Sequence, residues 1–253
     1  MKIVPIIQAR MSARRLPDKV LMDIAGKPML QHVIDRVRRA DIGDVVVATS
    51  DDASDDRIAL FCEKQGVPCF RGSLNDLIGR YYSAAQQYNA DVVVRLTGDC
   101  PLLDPSVIRS VVDLYSTGNY DYVSNVNPPT FPDGLDTEVF SFEGLENAYK
   151  NATLPSDREH IAPYFEKRPK EFRLGNVEHT QDLSMHRWTV DEQNDVTFVC
   201  SVFEHLGTDV FSMNEIIALV EKYPHLRDVN QSIVRNAGHA SALEADEAFL
   251  SGQ

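Results

Sequence analysis

Residues 8–21, QARMSARRLPDKVL, place Arg10, Arg14, Arg15 and Lys19 within ten positions, directly after the apolar run KIVPII. Arginine offers a planar fork of donors to phosphate oxygens, and lysine a movable point charge. Four cations on one loop therefore suit a polyphosphate. The competing reading is a solvated basic loop, but such a loop would not need Leu16 and Pro17 stiffening it between the cations. A second cluster is LTGDCPLLDP, where Asp99 closes an apolar run. A carboxylate facing a triphosphate is a natural magnesium ligand, because magnesium takes hard oxygens and keeps several waters. Asp104 reads instead as a helix N-cap, and Cys100 as packing. The third is RWTVDEQND, in which Asp191 stands between a short apolar run and a helical pattern. A helix cap fits Asp191 alone equally well, and Asp195 fits that ordinary role better. Together, Asp99 and Asp191 could hold one or two metal ions against the phosphates.

Two further stretches have the composition of a site for hydroxyl groups. FPDGLDTEVFS carries Asp133, Asp136 and Glu138 beside Gly134, which permits a tight turn. DREHIAPYF adds Glu159 and His160. The competing reading is an acidic surface loop plus a helix whose histidine is satisfied by packing. His179 and His186 have no metal-ligand spacing and read as structural.

The elements that must position these groups are legible in the first half of the chain. KIVPII, DVVVATS, VPCF and DVVVRLTGD read as buried strands. They alternate with helical patterns at PMLQHVIDRVRRA, DDRIALFCEKQG, LNDLIGRYYSAAQQYN and DPSVIRSVVDLYSTG. Strands apolar on both faces and separated by helices indicate a parallel sheet covered on both sides, an α/β/α sandwich of three layers. Ligands of such sheets sit beyond the carboxyl ends of the strands, where Arg10 to Lys19 and Asp99 fall. After about residue 120 the pattern becomes loop-rich. It predicts strands at DTEVFS, EFRLGNV and HRWTV, and helices at SDREHIAPYFEKRP, DVTFVCSVFEHLG and SMNEIIALVEKYP. The stretch after Val229 is poor in large apolar residues and reads as a peripheral helix or a partly disordered tail.

Composition excludes several classes. The net charge of −13 over 253 residues argues against a nucleic-acid binder, which would carry a basic face. No apolar run approaches the roughly 20 residues that cross a bilayer, so no membrane association is expected. The N-terminus lacks a signal-peptide pattern, and the expected location is cytoplasmic. Cys62, Cys69, Cys100 and Cys200 form no CxxC pair and read as reduced thiols, with neither a zinc site nor a disulfide framework.

The segments IIQARMSARRLPDKVLMDIAGKPMLQHVIDRV, FRGSLNDLIGRYY, RLTGDCPLLDP, PDGLDTEVFS, REHIAPYF and RWTVD occur in an order and spacing that resemble the spore coat polysaccharide biosynthesis protein F family. That family is similar to the acylneuraminate and deoxy-octulosonate (KDO) cytidylyltransferases. The resemblance covers residues 1 to about 220. It implies a GT-A-like nucleotide-diphospho-sugar transferase fold and magnesium-dependent transfer of CMP from CTP to an acid sugar in surface polysaccharide biosynthesis. By position it makes Arg10, Lys19 and Asp99 the catalytic group, and Asp99 and Asp191 the metal ligands. The nucleotide would lie against Gln8, Ala9, Arg10, Ser12, Arg14, Arg15, Lys19, Arg71, Asp76, Thr97 and Gly98. The acceptor would meet Asp133, Asp136, Glu138, Glu159, His160 and Arg187. The implied organisation is one domain over 1–228, with 125–187 as an inserted acceptor and dimerisation arm, a peripheral tail at 229–253 and a homodimer.

The loop departs from the family pattern at two positions. Ala13 lacks a hydroxyl that could donate to phosphate, and Asp18 replaces a glycine that lets the backbone approach; Arg14 would compensate by pairing with Asp18 or by adding a phosphate contact. Two rival functions follow from the same reading. One is a glycosyltransferase with a nucleotide-sugar donor, for which no Asp-x-Asp pair stands at a strand end; the other is a non-catalytic nucleotide-binding protein.

Overall fold

The computed structural model describes residues 1–13 and 15–233, with Asp246, Ala248 and Ser251 beyond them; for Glu159 the backbone is described but not the side chain. In chain order the elements begin with β1 (Ile3–Gln8), a small hairpin of β2 (Asp23–Ile24) and β3 (Lys27–Pro28), α1 (Met29–Arg39), β4 (Val46–Ser50), α2 (Asp56–Gln65) and β5 (Cys69–Gly72). Next come α3 (Leu77–Gln87), β6 (Val92–Thr97), α4 (Pro105–Ser116), β7 (Tyr122–Ser124), β8 (Glu138–Ser141), α5 (Phe142–Asn151), α6 (Pro155–Glu159) and α7 (Ile161–Glu166). The chain closes with β9 (Leu174–Asn176), α8 (Gln193–Leu206), α9 (Met213–Lys222) and α10 (Pro224–Asp228).

Seven strands form one sheet in the order β5-β4-β1-β6-β8-β7-β9. All run parallel except β8, which is antiparallel to both β6 and β7. Side chains of a strand alternate between the two faces, and the central strands are apolar on both. Ile7, Val47, Val94 and Leu96 face α1, α4 and α8, while Val4, Ile6, Val46 and Val93 face α3, α5 and α7. Each such side chain contributes about 1.5–3 kcal/mol by its burial. The three-layer α/β/α architecture predicted from the alternation is the one observed.

Helix ends follow the local chemistry. Asp104 caps α4, accepting from Ser106 N at 2.7 Å, as its position before a proline predicts. Its other oxygen takes Met213 N at 2.5 Å and ties α9 to α4. Gly207 ends α8 in the left-handed conformation, φ 63°.

Two sequence expectations meet a different structure, and a third falls largely outside the described residues. HRWTV is no strand. It touches its neighbour through one isolated bridge, Asp133 to Arg187, because Trp188 N and Thr189 N both turn to the carbonyl of Asp133 and Val190 N turns to that of Asp99. Its backbone donors go to two different loops, so no ladder forms. Part of the segment read as an arm lies in the body of the domain. β8 is threaded between β6 and β7 in the central sheet, and α5 packs with α3 against the same face. The expected tail at 229–253 falls largely outside the described residues. Within the described part, buried Asn230 donates to Arg187 O at 3.0 Å and to Asp195 Oδ1 at 2.9 Å.

Candidate active site

A cleft of about 1100 Å³ opens at the carboxyl ends of β1 and β6. Gln8, Ala9, Arg10, Ser12, Arg15 and Lys19 line it from the first loop, and Thr97, Gly98 and Asp99 from the second. Asp133, Asp136, Glu138, His160, Arg187 and Asp191 complete the wall among the residues singled out from sequence. The two loops touch because β1 and β6 pair in register from Ile3–Val92 to Gln8–Thr97, and Gly98 N donates to Gln8 O at 2.8 Å. A side chain at Gly98 would place its Cβ 2.9 Å from that same carbonyl, so glycine is what permits the approach.

Lys19 is the centre of the site. Its ammonium is buried and bonds Asp99 Oδ2 at 2.7 Å, Asp191 Oδ1 at 2.8 Å and Val190 O at 2.8 Å, which uses all three of its protons. Burial alone would favour the neutral amine, but the Asp99 and Asp191 carboxylates outweigh it and raise the Lys19 pKa above its ordinary value. Asp99 shows the mirror effect: burial pushes its carboxyl up, and Lys19 brings the net value below the usual range.

Arg187, expected at the acceptor, lines the cleft as a buried hub. Its guanidinium bonds Asp195 Oδ1 at 2.9 Å, Asp191 Oδ2 at 3.0 Å and Asp133 Oδ2 at 3.2 Å. With those donors occupied, it positions the carboxylates around the cleft. Asp195 closes the α8 capping box with Glu192, so its expected capping role holds, and it anchors Arg187 as well. A glycine sets the register of this region. Gly134 has φ 109°, and a Cβ there would lie 2.5 Å from Thr189 N and 2.7 Å from the Trp188 carbonyl carbon.

The first loop is pinned from below by a residue the sequence reading passed over. Asp55 is fully buried and accepts from Met11 N at 2.7 Å, Ser50 N at 3.0 Å and the Ser50 hydroxyl. The Met11 carbonyl in turn receives Ala13 N and Asp18 N, closing the loop on itself. Arg15 reaches across to Asp191 at 3.1 Å and Glu192 at 3.0 Å. Arg10 stands exposed in the cleft with no hydrogen-bond partner among the described residues. Arg14 and the Glu159 side chain lie outside the described residues.

Arg71 and Asp76 are not brought into the cleft wall. Arg71 bonds Ser50 O at 3.0 Å, Asp52 O at 2.9 Å and Asp56 at 2.6 Å, bracing β5 against the loop after β4. Asp76 caps α3 through Gly79 N at 3.0 Å and faces Arg158 at 3.4 Å. In their place the cleft contains Arg80, Arg95 and Arg158. Their signal in the sequence is an arginine inside an otherwise apolar stretch, as in VVVRLTG and LIGRYY. Cys100 is buried beside Thr97 and Asp99, and burial pushes its thiol pKa well up, consistent with packing rather than reactivity.

Two carboxylates thus meet one ammonium at the ligand edge, below a loop of cations. A cytidylyltransferase family model matches residues 4–231. The chain belongs to the cytidylyltransferase family. Its relatives include the spore coat polysaccharide biosynthesis protein SpsF of Bacillus subtilis, 30% identical over 88% of this chain and 95% of that protein. A solved cytidylyltransferase from Leptospira borgpetersenii superposes with a TM-score of 0.87 at 36% identity, over 93% of this chain and 100% of that one. CMP:2-keto-3-deoxy-manno-octonic acid synthetase complexed with CTP superposes with a TM-score of 0.63 at 18% identity, over 81% of this chain and 100% of that one; this likeness shows the fold alone. The protein is thus a nucleotidyltransferase, and its sheet is that of the nucleotide-diphospho-sugar transferases, as the sequence resemblance implied.

The departure at Asp18 from the loop of this cytidylyltransferase family has a local explanation. Asp18 adopts the left-handed conformation, φ 63° and ψ 4°, which glycine takes freely and aspartate tolerates better than most residues. Its carboxylate bonds Arg57 at 2.6 Å on the surface; the expected partner Arg14 lies outside the described residues.

Proposed function

We propose that the protein transfers CMP from CTP to a hydroxyl of an acid sugar or related acceptor, with release of pyrophosphate, in the making of a surface polysaccharide. The observation that carries this reading is the Lys19 ammonium held at once by Asp99 and Asp191. It shows two hard carboxylates converging within reach of one cation, with the cationic loop above them. Magnesium binds through one or two carboxylates plus substrate phosphates and waters, so this donor set fits it. Among the described residues no three His, Cys, Asp or Glu side chains form a metal cage, so phosphate and water would have to supply the remaining ligands. When bound there, magnesium would neutralise charge on the phosphates and the leaving pyrophosphate.

The chain's own residues then have distinct tasks. Arg10 and Arg15 bind the triphosphate, Arg10 from its exposed position in the cleft and Arg15 by exchanging Glu192 for phosphate oxygens. Lys19 holds Asp99 and Asp191 at a fixed separation before metal binds, and once magnesium takes those oxygens its ammonium is a buried donor for charge developing on the phosphates. The acceptor oxygen attacks the α-phosphorus in line as the bond to pyrophosphate breaks, and its proton passes to solvent or a cleft carboxylate. Little covalent chemistry falls to the protein, so positioning and charge stabilisation dominate. The acceptor lies towards Asp136, Glu138 and His160, and the chain pairs as a homodimer through the segment that carries α6 and α7.

The test is incubation with CTP, magnesium and either 3-deoxy-manno-octulosonate or N-acetylneuraminate, followed by pyrophosphate detection. Release that depends on all three components is expected. CTP binding without release from any acid sugar would overturn the acceptor assignment.

A further inference from the structure

We infer that Asp246 is a positioning residue for the acceptor, which clasps α6 and α7 together as one wall of the cleft. The inference rests on the acceptor reading above and adds the contact that holds the acceptor's wall in place. Pro155 and Arg158 of α6, His160 after it, and Ala162, Pro163 and Glu166 of α7 all line the cleft. Buried Ile161, Tyr164 and Phe165 fasten α7 to the apolar face beneath it. By contrast, α6 has the sequence PSDRE and contributes no described residue to either apolar cluster. A helix of five residues is not stable by itself, so polar contacts must fix it.

Its N-terminus shows how. Leu154 at the N-cap has no side-chain acceptor and Pro155 has no amide proton, so Ser156 N is the first orphan donor. Asp246 supplies the missing cap from 90 positions further along the chain. Its Oδ1 accepts from Ser156 N at 2.9 Å, and its Oδ2 from the Ser156 hydroxyl at 2.5 Å. The same Oδ2 accepts from Lys167 Nζ at 3.2 Å, at the C-cap of α7. Lys167 also donates to Ser156 Oγ at 2.7 Å and to Asp157 Oδ1 at 3.1 Å. One carboxylate therefore ties the first turn of α6 to the end of α7, and Ser156, Asp157 and Asp246 are all buried at the junction. The other ion pairs of α6, Arg158 with Asp76 and Arg168 with Asp157, are longer, both at 3.4 Å. Without Asp246 a buried amide and hydroxyl lose their acceptor, a cost that local loosening of α6 relieves. Loosening lowers the fraction of molecules with a competent wall, and the apparent affinity for the acceptor falls with that fraction.

Asp246→Ala in the full chain tests this with two measurements. Hydrogen exchange of the amides of residues 155–166 should quicken about tenfold, with those of β1, β4 and β6 unchanged. The acceptor KM, with whichever of 3-deoxy-manno-octulosonate and N-acetylneuraminate the native protein uses, should rise about three- to tenfold. The calorimetric Kd for CTP and kcat should both stay within about twofold. A merely structural role would change the amount of folded protein and leave KM where it was. Lys167→Met breaks the junction from its other side and should reproduce the rise in KM; in the double variant the two effects should not multiply. It carries the test if Asp246→Ala does not fold. An unchanged acceptor KM in the folded variants overturns the positioning role and leaves the acceptor reading intact. If the native protein binds CTP but turns over neither acid, the acceptor reading fails, and the positioning role with it.

Discussion

Replacing Lys19 with methionine keeps the length of the side chain and removes its charge. The structure sets the consequences. The Lys19 side chain is 7% exposed, and its ammonium is shared by Asp99 and Asp191, whose side chains are 27% and 25% exposed. Asp191 retains Arg15 and Arg187, but Lys19 is the described cation paired with Asp99. Breaking a fully buried pair costs about 3–5 kcal/mol. With both carboxylates a quarter exposed, water recovers part of that, and about 1–3 kcal/mol of stability should be lost. The pH dependence has a definite sign. Asp99 has a lowered pKa, so its contribution is present above its unfolded value of about 4 and is lost as pH falls through the folded value. Lys19 has a raised pKa, so its contribution is present below about 10.4 and is lost as pH rises through the folded value. The gap between native protein and variant should therefore be widest between these limits and close in acid.

Urea unfolding with and without magnesium makes the experiment decisive. The ammonium occupies the oxygens a metal would take, so magnesium alone should stabilise Lys19→Met more than the native protein, by the mass-action gain of any ligand that binds only the folded state. Pyrophosphate release should fall by orders of magnitude in the variant. A variant as stable as the native protein, equal stabilisation of both by magnesium, or undiminished pyrophosphate release would each refute the role assigned to Lys19.

Two other substitutions probe the supports of the cleft. Asp55→Asn removes an acceptor from Met11 N or Ser50 N, so the first loop loses its root; a rise in KM for CTP of about tenfold is expected, with a smaller change in kcat, measured by steady-state pyrophosphate release. Gly134→Ala puts a Cβ 2.5 Å from Thr189 N at a backbone φ of 109°, so residues 187–191 must shift; a stability loss of about 1–3 kcal/mol by thermal unfolding and weaker binding of CTP with magnesium should follow together.

Where local pattern decides structure, the sequence was legible. KIVPII, DVVVATS and DVVVRLTGD became β1, β4 and β6 because strands apolar on both faces have no soluble alternative to a covered parallel sheet. Asp99 and the first loop fell at the ligand edge for the same reason. HRWTV misled because its apolar residues are buried one at a time against separate loops, an arrangement with no periodicity to read. Arg71 and Asp76 misled because a charged residue near a site looks the same in sequence whether it faces the ligand or braces the backbone behind it.

The sequence by itself determined the three layers, the position of the cationic loop and the family. Those depend on local periodicity and on short motifs, which a linear chain carries intact. Only the tertiary structure decided which charges meet. Lys19 joins Asp99 and Asp191 across 80 and 172 positions of chain, and Arg95 faces Glu138 across 43. Burial then assigned their tasks: it occupied Arg187 with three carboxylates and engaged every proton of Lys19. Such outcomes follow from competition among donors and acceptors for a limited set of buried partners, and that competition begins only when the chain has closed.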